Sequence, residues 1–240
     1  MLNSPQDHHA AAGESLKTDA SRCHALLSLR AALICATLCW VVFAVLAGLM
    51  LSGRHADLDN LGLLLFRSSA GLELRGPSWA ADMTRGMTEL GGVTLRHLLA
   101  ASAVAMLLLF GMRRQAAILS VTIFSGWMIS ALLKLGFARP RPTNVSHLMG
   151  VEGYSFPSGH SFNAAVVYIS LAVVLGTLSP RENVRRALVA TGIAISILVS
   201  LSRVMLGVHY PSDVLAGWIA GAGWALLASA WLSMVSIRSS

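Results

Sequence analysis

The sequence predicts an all-α integral membrane protein with six transmembrane helices. Three observations carry this prediction. The 240-residue chain is 55% hydrophobic and only 12% charged, whereas a soluble domain carries about 25% charged residues. Its mean hydropathy is +0.66. Six apolar runs are also long enough to cross a hydrocarbon core of about 30 Å, and each is predicted to be a helix because backbone amides in lipid must be satisfied within their own segment.

The order of the segments can be read along the chain. The polar residues 1–28 are predicted to form a flexible cytoplasmic tail, and residues 29–240 a single membrane domain. The first apolar run is too long for a signal-peptide core and lacks a small-residue cleavage site, so it is interpreted as a retained anchor. The six spans are predicted at residues 29–51, 95–112, 116–133, 159–178, 187–206 and 214–235.

The connection at residues 53–94 carries its own helical pattern. Trp79, Met83, Met87 and Leu90 recur at helical spacing with charged residues between them. This pattern predicts an amphipathic helix in the outer interface of the membrane. A plain packing helix fits the pattern about as well. In the last span, Gly217 and Gly221 are four residues apart, a spacing that permits close helix packing.

Basic residues predict the orientation and exclude one class of partner. Arg113 and Arg114, and the cluster at 181–186, lie in short connections that the positive-inside rule places in the cytoplasm. With six spans, both termini are then cytoplasmic. Despite the net charge of +7, we expect no nucleic-acid binding, because the basic residues do not form a patch. They lie at the ends of apolar runs or in the motifs described below.

Three short motifs supply cations, histidines and a carboxylate. They are Lys134 with Arg141-Pro142, then Pro157-Ser158-Gly159-His160, then Ser202-Arg203 followed by His209 and Asp213. Under the predicted topology all three reach the outer ends of helices 3–6, where we expect the active site. Compact loops favour a bacterial origin, so this face is expected to be the periplasmic side of the inner membrane.

Each motif suits a phosphate ester. Arg141 and Arg203 can each offer a planar fork to two phosphate oxygens, and Lys134 a point charge. Lys134 alone would be interpreted as a snorkelling residue at a helix end. Arg203 lies in an apolar stretch where an unpaired cation is costly, so an anionic partner is expected.

The glycine turn and the histidines add chemistry to these cations. Free amides where Ser158 and Gly159 open a helix form an anion site, although Ser158 could simply cap that helix. Asp213 can hold one ring nitrogen of His209 as N–H and leave the other free to attack. His160 would stand on the first helical turn, beside a bound phosphate.

The order and spacing of these motifs closely resemble the signature of the type 2 phosphatidic acid phosphatase family. The resemblance implies that His209 is the nucleophile and forms a phosphohistidine, that Asp213 supports it, and that His160 is the general acid. It implies that the phosphate is bound by Lys134, Arg141, Ser158, Gly159 and Arg203. The implied substrate is a membrane lipid phosphate or diphosphate, such as undecaprenyl diphosphate, phosphatidic acid or phosphatidylglycerol phosphate. No metal or cofactor is expected, because the cations already neutralise the phosphate.

Two other interpretations remain open at this point. His160, His209 and Asp213 could form a two-histidine, one-carboxylate metal site, although three nearby cations would repel the metal. Vanadium haloperoxidases share the phosphate-pocket motif but are soluble. A lipid-headgroup binding or transport protein could use the same cationic pocket without turnover. The sequence predicts no oligomeric state and does not choose among the lipids.

Overall fold

The computed structural model describes residues 27–68 and 73–237, so the predicted tail lies outside it except for residues 27 and 28. In these two ranges the chain is all-α and has no β-strand, only an isolated antiparallel bridge between Arg67 and Leu74. The eight helices are α1 (Leu29–Leu51), α2 (Ala56–Leu64), α3 (Trp79–Glu89), α4 (Val93–Leu109), α5 (Arg113–Phe137), α6 (Gly159–Gly176), α7 (Glu182–Met205) and α8 (Pro211–Ile237).

Five of these helices, α1, α5, α6, α7 and α8, are long and apolar enough to cross a membrane. The second predicted span falls on α4, which has 17 residues and qualifies only together with α3. These two helices are bent by 43° at the break between them. The structure therefore has six spans when α3 and α4 are counted as one bent span.

Helix α6 lies at the centre of the bundle. Its most apolar window is 72% buried, against 17% for the peripheral α1. It packs against α5, α7 and α8. The predicted close packing at Gly217 and Gly221 is confirmed. A Cβ on Gly217 would collide with the carbonyl of Ser158, the N-cap of α6, and a Cβ on Gly221 with the carbonyl of Phe162 in α6.

Residues 53–94 hold more structure than the sequence predicts. Helix α3 forms where the amphipathic pattern lies, and Trp79 and Met83 are exposed as that pattern requires. Its opposite face is polar but buried: Thr84 and Thr88 are each at most 2% exposed, and the helix packs on α7. The short helix α2, which the sequence analysis does not predict, packs on α7 and α8.

Local signals set the helix ends that surround the motifs. Helix α5 ends at Phe137. The next residue, Ala138, is left-handed (φ 46°), and prolines at 140 and 142 prevent continuation of the helix. Ser158 caps the N-terminus of α6, its hydroxyl accepting from the amide of Ser161. Helix α8 begins at Pro211, a residue suited to the first helical position. The three motifs therefore lie at helix ends that face one another.

Candidate active site

A cavity of about 350 Å³ opens where α5 and α7 end and α6 begins. It gathers residues from all three motifs, although these are far apart in the sequence. Six of the eight predicted site residues line it: Lys134, Arg141, Gly159, His160, Arg203 and His209. The other two, Ser158 and Asp213, are fully buried just behind its wall.

His209 presents one ring nitrogen to a cation of the cavity. Its Nε2 lies 3.2 Å from Nη1 of Arg141. A guanidinium can only donate, so Nε2 must carry a lone pair and the proton must be on Nδ1. Burial lowers the pKa of His209 to about 3, although the hydrogen bond and charge of Asp213 act in the opposite direction. The ring is therefore neutral at physiological pH, the state that a nucleophile requires.

Behind the ring, Nδ1 faces two oxygens. Asp213 Oδ2 lies 3.5 Å away, and Ser155 Oγ lies 3.3 Å away. The Ser155 hydroxyl donates to the same Asp213 oxygen, so its lone pair can accept from Nδ1–H. Ser155 thus connects His209 and Asp213, and the sequence analysis does not predict it.

Asp213 is held on its other side by Arg139, a second residue that the sequence analysis misses. Arg139 Nη1 forms an ion pair with Asp213 Oδ1. Its Nη2 donates to Asp59 Oδ2 at 2.7 Å. The Ser212 hydroxyl and amide donate to Asp59 at 2.6 Å and 2.9 Å. Burial alone would lower the pKa of Arg139, but the Asp213 and Asp59 carboxylates raise it, so the cation is permanent.

Arg141 is oriented by backbone carbonyls rather than by a carboxylate. It donates to the carbonyls of Glu152, Gly153 and Val208 at 2.8–3.0 Å. Lys134 similarly donates to the carbonyl of Tyr154 at 2.9 Å. Because neither cation is neutralised by a described acidic side chain, both keep their positive charge for an anion in the cavity.

Arg203 is 1% exposed and lies in the last turn of α7. Its Nη1 donates to Thr88 Oγ1 at 2.7 Å and contacts Met149 Sδ at 3.0 Å. No carboxylate among the described residues forms an ion pair with it. The anionic partner expected from sequence stays a prediction.

At the start of α6, Ser158 caps the helix, which is one of the two interpretations from sequence, and phosphate binding by this turn stays a prediction. Ser158 Oγ faces Ser161, at 3.4 Å from its amide and 3.0 Å from its hydroxyl, so that side chain caps the helix rather than reaching the cavity. Gly159 lets the Lys134 side chain pass closely, since a Cβ there would lie 3.1 Å from Lys134 Cε. His160 lies on the cavity wall next to them.

Comparison with known proteins identifies the family. Residues 115–236 match the model of the PAP2 superfamily. The chain belongs to the PAP2 superfamily.

Individual PAP2 relatives support this assignment over longer stretches. Phosphatidylglycerophosphatase B of Bacillus subtilis is 31% identical over 64% of this chain and 75% of its own length. Undecaprenyl-diphosphatase of Sulfolobus acidocaldarius is 33% identical over 56% of this chain and 60% of its own. The crystal structure of a transmembrane PAP2 type phosphatidylglycerolphosphate phosphatase from Bacillus subtilis superposes with a TM-score of 0.74 at 25% identity, covering 82% of this chain and 94% of that one. This PAP2 chain is therefore a transmembrane phosphatase.

Three residues that touch this site precede the PAP2 match at 115–236. Asp59 comes from α2, Thr88 from α3 and Arg96 from α4. Arg96 carried a usable signal, since it is a cation near the start of an apolar run, as Arg203 is near the end of one. Asp59 and Thr88 have ordinary sequence surroundings, and only the packing of α2 and α3 brings them to the site.

Proposed function

We propose that this chain hydrolyses a membrane lipid phosphate or diphosphate without a metal, through a phosphohistidine formed on His209. The observation that carries the proposal is the neutral, buried imidazole whose Nε2 lone pair lies among the cations of the cavity. A protein that only grips a headgroup needs the cations. It does not need a histidine held in one tautomer by Ser155 and Asp213.

In the first step, His209 Nε2 attacks the phosphorus atom and the bond to the leaving oxygen breaks. The Arg141 N–H that now reaches Nε2 can shift to a phosphate oxygen, which frees the lone pair for attack. His160 gives its proton to the leaving oxygen as the electron pair arrives there. Asp213 and Ser155 stabilise the positive charge that develops on the His209 ring.

In the second step, water attacks the phosphohistidine. His160, now neutral, accepts a proton from that water, and the phosphorus–nitrogen bond breaks to return the electron pair to Nε2. Inorganic phosphate leaves and His160 is protonated again. In both steps the equatorial phosphate oxygens are stabilised by Lys134, Arg141 and Arg203. Electrostatic stabilisation of these oxygens supplies most of the catalysis in phosphoryl transfer.

The substrate we propose is a lipid because the cavity lies at one end of a membrane bundle. Relatives named for phosphatidylglycerophosphate and for undecaprenyl diphosphate support this class. Phosphatidic acid stays a candidate through the family resemblance. We further propose cytoplasmic termini and a periplasmic cavity, on the basis of the basic residues at 113–114 and 181–186.

Phosphate release from detergent-purified protein in EDTA tests this function. The substrates are a polyprenyl diphosphate, phosphatidic acid and phosphatidylglycerol phosphate, and the variants are His209→Asn and, as a matched control, the exposed His97→Asn. We expect release by the wild type and His97→Asn and none by His209→Asn. Release that requires an added metal would contradict the mechanism, and no release from any lipid would favour a headgroup-binding protein.

A further inference from the structure

Arg96 adds a fourth cation to the cavity, outside the three motifs. It lies in the first turn of α4, and its side chain lines the cavity together with His160 and Arg203. The residue is only 5% exposed. A guanidinium that is almost entirely removed from solvent needs a structural or chemical reason.

The structural contacts of Arg96 use little of its hydrogen-bonding capacity. Nη1 donates to the carbonyl of Gly91 at 2.9 Å, which is one of the five N–H bonds that a guanidinium can offer. The Nε atoms of Arg67 and Arg203 are fully enclosed by protein and have no hydrogen-bond partner. No nitrogen of Arg96 is both enclosed and without a partner in this way. Its remaining nitrogens therefore keep some solvent access, and the side chain lines the cavity.

Arg96 also has no counter-ion within residues 27–68 and 73–237. None of the ion pairs in that part of the chain includes it. A buried cation without a partner is strongly unfavourable. An anionic group that enters the cavity would remove this penalty.

The position of Arg96 distinguishes it from Arg141. Its acceptor Gly91 lies against His160, since a Cβ on Gly91 would be 3.4 Å from His160 Cδ2. Arg141, in contrast, contacts His209. In an in-line displacement the nucleophile and the leaving oxygen lie on opposite sides of the phosphorus. Arg96 is therefore on the side of the leaving group.

We propose that Arg96 binds a second phosphoryl group of the substrate, carried by the leaving group. This inference rests on the proposed function of the same site. Attack by His209 on the terminal phosphorus breaks its bond to the leaving oxygen, which keeps the electron pair and takes the proton of His160. In a diphosphate the leaving oxygen belongs to the second phosphoryl group, whereas in phosphatidylglycerol phosphate it is a glycerol oxygen and the second phosphoryl group is the nearby phosphodiester. In both cases Arg96 binds the negative charge of this second phosphoryl group.

Arg96→Gln tests this inference, because glutamine keeps an N–H for Gly91 but removes the charge. We expect kcat/KM to fall by about 10- to 100-fold on at least one lipid with two phosphoryl groups, as loss of a charge-assisted hydrogen bond predicts. On phosphatidic acid, which has one, kcat/KM should change by less than about 3-fold. Arg96→Lys should recover part of the loss, and the exposed Arg75→Gln should match the wild type.

The pattern of loss also identifies the second phosphate. A loss confined to polyprenyl diphosphate assigns Arg96 to a diphosphate, and a loss confined to phosphatidylglycerol phosphate assigns it to the phosphodiester. An equal loss on all three lipids, or no loss on any, would overturn the inference. Wild-type activity on phosphatidic acid alone would overturn it and leave the phosphatase proposal standing, whereas no release from any lipid would overturn both.

A second measurement on the wild type does not depend on the folding of the variant. Inorganic pyrophosphate and inorganic phosphate are compared as competitive inhibitors of phosphatidic acid hydrolysis. Pyrophosphate can reach Arg96 and the motif cations at once, so we expect it to inhibit at least about 10-fold more strongly. Equal inhibition by the two anions would contradict a second phosphate site.

Discussion

Ser155 connects His209 to Asp213. Its Oγ lies 3.3 Å from His209 Nδ1 and donates to Asp213 Oδ2, while the direct distance from Nδ1 to that carboxylate oxygen is 3.5 Å. All three side chains are at most 1% exposed. The hydroxyl therefore shares with the carboxylate the task of keeping the proton on Nδ1.

We predict that Ser155→Ala lowers kcat by about 10-fold and leaves KM nearly unchanged. Without the hydroxyl, Nδ1–H of His209 keeps only its longer contact with Asp213. The loss of one buried hydrogen bond corresponds to about 1.4 kcal/mol, which is a factor of ten in rate. Steady-state kinetics on the preferred lipid measures both constants. The matched control is Ser170→Ala, since Ser170 is equally buried but its hydroxyl has no hydrogen-bond partner. If both alanine variants had the same kcat, Ser155 would have no role in orienting His209.

Arg139→Gln should lower both stability and kcat. Arg139 neutralises two buried carboxylates, Asp59 and Asp213, and removal of one partner of a buried ion pair costs about 3–5 kcal/mol. Thermal unfolding and kinetics of the same preparation measure the two effects. Arg139→Lys should retain part of the stability but lose the simultaneous contact with both carboxylates. Wild-type stability in Arg139→Gln would show that the network contributes nothing.

His209 should make the fold sensitive to acid. Its folded-state pKa is lowered to about 3 by burial, against 6.5 for a free ring. The stability that the neutral ring contributes is thus present above pH 6.5 and is lost as the pH falls from there toward 3. We expect the Tm of the wild type to fall more steeply over this range than that of His209→Asn. Parallel curves would contradict the lowered pKa.

Gly217→Ala should destabilise the turn that carries Gly159 and His160. A Cβ at Gly217 would lie 2.6 Å from the carbonyl oxygen of Ser158, so α8 and α6 must separate. Overpacking of this kind costs about 1–3 kcal/mol, and kcat should fall with it. Gly48→Ala in α1 is the control, because nothing lies within 4 Å of its Cβ position. Equal Tm values for the two variants would mean that this helix contact is not tight.

The sequence predicts the spans and the motif residues because both signals are local. Apolar runs specify the helices, and the fixed spacing of Lys134, Arg141, His160, Arg203 and His209 carries the family signature. The prediction for α4 was less accurate, because its 17 residues span the bilayer only in combination with the polar-faced α3.

The residues that sequence analysis missed act through contacts between distant segments. Asp59 reaches Arg139 across 80 positions, and Thr88 reaches Arg203 across 115. Arg139 itself appears only as one more basic residue next to a proline. Such contacts depend on tertiary packing, and no periodicity or motif in a single sequence reports them.

Trapping of the phosphoenzyme tests the central claim most directly. The protein is mixed with a lipid substrate whose scissile phosphate is radiolabelled, quenched during turnover and separated from lipid. We predict label on the wild-type protein that is stable in base and labile in acid, as a phosphohistidine is, and no label on His209→Asn. Full turnover by the wild type without trapped label, or equal label on His209→Asn, would contradict a phosphohistidine on His209.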